Sequence, residues 1–171
     1  MSRRLVVVAQ PGCKRLQGLV AALAKANQPL PQIVSWSAAI ADPRILRTGS
    51  QAGDVLRIES PGADSEVWHL IAQRGGFSGH IPDGMWRPGY TWFAGLRDVL
   101  LSWQEETQDL VWTHPATHIL TMTDKLRCAE VLAESAVPTP WTVAAPATAQ
   151  DLRSLLRVSG RHAVFVKPRW G

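Results

Sequence analysis

A chain of 171 residues, 46% hydrophobic and 19% charged, holds one ordinary domain, or one and the start of a second, and is too apolar to stay disordered. No apolar run reaches the roughly 18 residues that span a bilayer, and the run at 5–9 falls short of the about 7–15 residues of a signal-peptide core, so a cytoplasmic location and no membrane partner are expected. The net charge of +4 comes from basic residues scattered singly rather than in blocks, which argues against a nucleic-acid partner.

Residues 5–9 (LVVVA) form a continuous apolar, mostly β-branched run, the pattern of a strand covered on both faces. The turn Gln10-Pro11-Gly12 follows. Leu16, Leu19, Val20 and Leu23 then recur at helical spacing, with Pro29 and Pro31 at the exit. Residues 33–36 read as a second strand, completing a βαβ unit and hence a mainly parallel sheet. Residues 42–53 are rich in turn formers, and 55–58 read as a short strand ending at Ser60-Pro61-Gly62. Val67, Leu70 and Ile71 mark a helix over 65–74 that stops at Gly75-Gly76. Residues 79–90 read as a Gly/Pro loop, Leu96 to Trp103 as part of a helix, 110–112 as a short strand and 114–117 as a loop.

From Thr121 the texture changes, and the division of the chain is placed there, at 1–120 and 121–171. Residues 124–135 form a helix ended by Val137-Pro138-Thr139-Pro140, since proline biases the preceding residue away from αR. Residues 141–144 are a strand candidate. Thr148-x-x-Asp151 opens a further helix through a capping box, and 163–166 read as a final, buried strand delivering Lys167 into a turn.

Several motifs carry chemistry in one reading and none in another. The first strand–turn–helix has one glycine where a dinucleotide site needs several for close backbone approach, which argues against hydride transfer with NAD. A helix N-terminus still favours anions, so Gly12, with Arg47 and Ser50, is taken as a candidate carboxylate site. The competing reading makes Arg44, Arg47 and Arg57 solvated cations. Trp86, Tyr90, Trp92 and Phe93 lie beside Arg87 and read as a loop pinned onto the next helix rather than a ring-stacking site. Cys13 and Cys128 lie far apart and read as small apolar residues. His114 and His118 are four apart, but Pro115 breaks the helix a metal pair would use, so no metal ligand is assigned.

The strongest signal is combined. Met122-Thr123-Asp124-Lys125 opens a helix, Val137-Pro138-Thr139-Pro140 closes it, and Phe165-Val166-Lys167-Pro168 follows a second helix. The chain has only four lysines, Lys14, Lys25, Lys125 and Lys167, against fourteen arginines. A composition this biased toward arginine retains lysine where a compact point charge is useful, as on a phosphate.

Asp124, Lys125, Val137, Pro138, Pro140, Lys167, Pro168 and Gly171 resemble, in type and order, the opening of the ATP-grasp domain in ligases of the glutathione synthetase and D-alanine–D-alanine ligase type. The resemblance implies a Rossmann-like α/β pre-ATP-grasp domain over 1–120 and the first part of an ATP-grasp domain over 121–171. It implies ATP-dependent ligation of a small-molecule or peptide carboxylate to an amine or thiol through an acyl phosphate. Lys125, Lys167 and Gly171 would contact the ATP phosphates, and ligands for Mg²⁺ would lie beyond Gly171. On this resemblance the chain is expected to be an N-terminal fragment, inactive alone. The alternative is a non-catalytic α/β small-molecule-binding module.

Overall fold

The computed structural model describes residues 3–79, 89–146 and 148–170. The chain forms two compact units, Met1–Leu120 and Thr121–Gly171.

The first unit is α/β. Four parallel strands, β1 (Leu5–Val8), β2 (Gln32–Val34), β3 (Val55–Ile58) and β4 (Val111–Trp112), lie in the order β2-β1-β3-β4. This is the 2-1-3-4 order of one kind of doubly wound sheet; the dinucleotide-binding kind begins 3-2-1-4. Val6, Val7, Val8 and Ala9 are fully buried, because β1 lies between two neighbours and is packed on both faces. Helix α1 (Lys14–Lys25) covers one face, its Leu16 packing on Val7 and Ala9. On the other face Val6, Val8 and Leu56 meet α2 (Trp36–Ala41), α3 (Ser65–Arg74) and α4 (Gly89–Glu106).

That larger core is built on tryptophans, and the indole N–H groups of Trp36, Trp68 and Trp103 find acceptors, as buried indoles usually do, while among the described residues that of Trp92 is buried without one. Trp36 donates to the Glu59 carbonyl at 3.0 Å and Trp103 to the Ala39 carbonyl at 3.0 Å, and their rings lie 4.9 Å apart. Trp68 donates to the Gly62 carbonyl at 2.8 Å and stacks on Trp92 at 4.2 Å. The aromatic run thus contributes Trp92 to the core, while Tyr90 is exposed; Trp86 and Arg87 lie outside the described residues.

Two helices were not foreseen. Residues 33–36 do not continue as a strand: β2 ends at Val34, and the Ser35 hydroxyl accepts from the Ala38 N–H at 3.2 Å, capping α2 so that Trp36 opens a helix. Likewise 114–117 is not all loop, because α5 (Ala116–Thr123) begins directly after Pro115; proline is favoured at helix entry. A 3-10 turn, Pro43–Arg47, lies within the turn-rich stretch.

The second unit holds α6 (Lys125–Glu134) and α7 (Ala149–Val158), neither with a buried residue. Asp124 caps α6, and Thr148 caps α7, its hydroxyl accepting from the Asp151 N–H at 3.1 Å. Helix α6 ends through Ala136 at φ 56°, with the Val137 N–H returning to the Leu132 carbonyl at 2.9 Å, a left-handed closure one residue before the proline segment. The two strands expected at 141–144 and 163–166 do not form. Among the described residues neither segment has a ladder partner, and Phe165 is 96% and Val166 74% exposed. β-branched and aromatic side chains favour an extended backbone, but a strand exists only where a neighbour accepts its hydrogen bonds.

Helices α3 and α4 cross at two glycines. A Cβ built on Gly95 would run into the carbonyl oxygen of Ile71, and one on Gly75 into that of Thr91. Gly95→Ala must separate the helices and is expected to cost about 2–3 kcal/mol, a fall in Tm of roughly 10 °C. Gly18, within α1, has open space where its Cβ would stand, so Gly18→Ala should instead stabilise by up to about 1 kcal/mol through helix propensity. Thermal unfolding of the two variants beside the parent checks both signs; an unchanged Tm for Gly95→Ala would rule out the close crossing.

Candidate functional site

In an open parallel sheet, ligands bind outside the carboxyl ends of the strands, where the strand order reverses. Here β1 leads outward to β2 and the chain then crosses back to β3, so the reversal lies between β1 and β3. At the carboxyl end of β1 the turn Gln10-Pro11-Gly12 is closed by the Cys13 N–H donating to the Gln10 carbonyl at 3.1 Å. Gly12 has φ 81° and open space where a Cβ would stand. Its dihedral, not a close neighbour, demands glycine.

Directly across, Glu59 leaves the carboxyl end of β3. Its backbone is held from both sides, the N–H donating to the Val8 carbonyl at 2.9 Å and the carbonyl accepting from Trp36. Arg57 and Glu59 are two apart on one strand, so they share a face. Arg57 pairs in register with Val7, whose side chain meets α1, so that shared face is the one α1 covers. There Arg57 donates from Nε to Glu59 Oε1 at 2.6 Å, with Nη2 at 2.5 Å. Arg15, in the first turn of α1, brings Nη1 to 3.7 Å from Oε2. Glu59 is 5% exposed, whereas the Arg15 and Arg57 side chains are 71% and 41% exposed. A buried carboxylate therefore holds the Arg57 guanidinium by hydrogen bonds and attracts that of Arg15 at longer range, and both arginine side chains remain partly exposed. One negative and two positive charges leave a surplus of one, beside a helix N-terminus that also favours anions. The corner can hold a carboxylate.

Arg47 and Ser50 do not take part, which corrects the expected grouping with Gly12. The stretch 47–54 leads into the amino end of β3, parallel to β1, whereas Gly12 leaves the carboxyl end of β1. Four strand residues separate them by about 13 Å. At that amino end the polar groups satisfy one another. Arg47 pairs with Asp109 at 2.9 Å, and the Ser50 hydroxyl donates to the Leu46 carbonyl at 3.2 Å. The buried Asp54 accepts from the Arg4 and Gln51 N–H groups, each at 2.8 Å. Arg44 is likewise tied to Asp42.

In the second unit, Asp124 is buried at 7% exposure. Its Oδ1 accepts from the Leu126 and Arg127 N–H groups, each at 3.1 Å, capping α6. It also receives Arg169, Nε at 2.9 and 3.0 Å from its two oxygens and Nη2 at 2.6 Å from Oδ2. Asp124 and Trp170 form an antiparallel bridge, and the Lys125 N–H donates to the Arg169 carbonyl at 3.0 Å. Lys125, the first residue of α6, is thus laid against a segment whose Lys167 lies two residues before Arg169 and is exposed. Gly171 lies outside the described residues. Among the described residues, no three His, Cys, Asp or Glu side chains gather into a metal-binding group.

Sequence reasoning named Lys125 and Lys167 but missed Glu59 as the hub of the first unit and Arg169 as the partner of Asp124. The alternation Arg57-x-Glu59 carried a signal, because residues two apart on a strand share a face. Nothing local marks Arg169, which meets Asp124 from 45 residues away. No family model, curated protein or solved structure matches this chain.

The Arg169 hydrogen bonds hold the Asp124 carboxyl below its ordinary range; burial pushes the other way, and the Arg127 N–H and the Arg169 charge add to the lowering. A carboxylate lowered on folding contributes stability that is full above its unfolded value, about 3.9, and is lost as pH falls through the folded value. The Lys125 amide should therefore keep its exchange protection down to about pH 4 and lose it below. In Asp124→Asn that acid step should vanish. An identical acid step in the variant would assign the transition to another group.

Proposed function

We propose that this chain serves ATP-dependent ligation of a carboxylate to an amine or thiol, in the manner of the ATP-grasp ligases its second unit resembles. The observation that carries this reading is the bridge between Asp124–Lys125 and Arg169–Trp170, which lays the two segments bearing Lys125 and Lys167 side by side. Two ammonium groups from a helix start and an adjoining extended segment suit a polyphosphate, because each is a compact charge. When bound, ATP would supply the phosphoryl group that activates the carboxylate. Phosphoryl transfer asks the protein mainly for positioning and charge stabilisation, which is what lysines held in a fixed relation provide. The acid is assigned to the carboxyl edge of the first unit, with Arg15 and Arg57 donating to it, and Glu59 orienting the Arg57 guanidinium and attracting that of Arg15. Among the described residues no three His, Cys, Asp or Glu side chains gather, and no step is assigned to Mg²⁺. A Rossmann-like pre-ATP-grasp role for Met1–Leu120 and an ATP-grasp opening for Thr121–Gly171 belong to the same proposal.

One observation favours a second reading, a non-catalytic small-molecule-binding module. The Arg15–Arg57–Glu59 corner is complete within Met1–Leu120 and needs no residue of the second unit.

Substitution of the lysines separates the two. A charged hydrogen bond contributes about 1.5–3 kcal/mol, so Lys125→Met and Lys167→Met should each weaken ATP binding about ten- to a hundredfold. Lys167→Arg should weaken it less, and Lys25→Met, in the last turn of α1, not at all. ATP binding indifferent to both lysines would leave the module reading standing. For the acid, small carboxylates titrated against the ¹⁵N-labelled chain should shift the side-chain Nε resonance of Arg57, and Glu59→Gln should reduce that response. A shift at Arg47 with Arg57 unmoved would return the acid to the amino edge.

A further inference from the structure

We propose that Asp124 and Arg169 are positioning residues of the two-lysine phosphate site, their ion pair setting the register between Lys125 and Lys167. This rests on reading those lysines as phosphate contacts. The segment around Lys167 has no ladder partner among the described residues, and Val164, Phe165 and Val166 are exposed rather than packed. Among the described residues, neither a ladder over 163–166 nor a core fixes where Lys167 stands along α6. The contacts that do so converge on Asp124: three Arg169 hydrogen-bond contacts, the Trp170 bridge, and the adjoining Lys125–Arg169 backbone bond. The Arg169 guanidinium also lies 5.0 Å from the centre of the Trp170 ring, which restrains its fork from the other side.

Charge leads to the same assignment. Asp124 immediately precedes Lys125, where an unbalanced carboxylate would repel a phosphate. Arg169 cancels that charge by a two-toothed contact that lysine, a point charge, cannot reproduce. With that carboxylate balanced, the formal charges of Lys125 and Lys167 leave the joined segments the net positive charge that a phosphate would need. At the same time Asp124 caps α6 through the Leu126 and Arg127 N–H groups, so one side chain fixes the helix start and the segment docked on it. Arg169 therefore acts on the ligand through the lysines and not by touching it.

A double-mutant cycle read by inorganic tripolyphosphate binding tests the assignment, because a general loss of stability lowers Tm but does not couple two substitutions in the folded, binding protein. Titration followed by amide NMR should show Lys167→Met weakening binding tenfold or more in the parent, but less than threefold in an Arg169→Gln background. Arg169→Gln alone should weaken binding about tenfold, and Arg169→Lys should recover only part of that loss. If Arg169→Gln does not fold, the same cycle run with Arg169→Lys should show reduced coupling of the same sign. Should Lys167→Met cost the same factor in every background, the lysines remain phosphate contacts and the positioning role of Arg169 is refuted. Tripolyphosphate binding that ignores both lysines would refute the phosphate site and the positioning role together.

Discussion

Burial of β1 on both faces is the constraint on which the first unit depends. Val6, Val7, Val8 and Ala9 expose no surface, so helices must cover the sheet on each side, and the chain must pass from one face to the other. It does so by running β1, α1, β2 on one face and then α2 to α4 over the second. That switch of faces opens the corner at the carboxyl ends of β1 and β3. The corner is thus a consequence of how a doubly buried strand is covered, and its charges are additions to a place the fold already makes. The close crossing of α3 and α4 at Gly75 and Gly95 belongs to the same requirement, since it lets two helices share the space above one short sheet.

Asp54, Glu59 and Asp124 are the buried acids among the described residues, and each is satisfied differently. Asp54 takes two backbone N–H groups and locks the turn before β3; those bonds hold its carboxyl below the ordinary range. Glu59 takes Arg57 directly and Arg15 at longer range. Asp124 takes two backbone N–H groups and the whole fork of Arg169. Removing a carboxylate from water is costly unless hydrogen bonds replace its hydration, and the planar fork of arginine replaces it with least freedom lost. The abundance of arginine and scarcity of lysine follow this pattern: arginine is used where a carboxylate must be gripped. Two of the four lysines lie on the segments that the Asp124–Arg169 pair joins.

Much of the architecture was legible. The apolar run at β1, the helical spacing of α1 and α3, the helix start near Asp124 and the capping residue Thr148 each act within a few residues, where propensity and pattern are strong. What was not legible depended on partners far along the chain. Val164 to Val166 have the composition of a strand, but among the described residues no neighbouring strand receives them. Ser35 was hidden because a cap after a β-branched run reads as more strand. Arg47 and Ser50 stand close to Arg57 in sequence, yet β3 lies between them and Glu59, and a strand carries its two ends to opposite sides of the sheet. The Asp124–Arg169 pair spans 45 residues and left no local trace.

Because the chain has only four lysines, their ammonium groups give a direct test of the central claim, that Lys125 and Lys167 together face a polyphosphate. With ¹⁵N on lysine alone, ATP should displace the Lys125 and Lys167 side-chain resonances most, in step with one another, and leave Lys25 where it was. Saturable ATP binding with those two resonances stationary, or movement of all four together as under added salt, would contradict it.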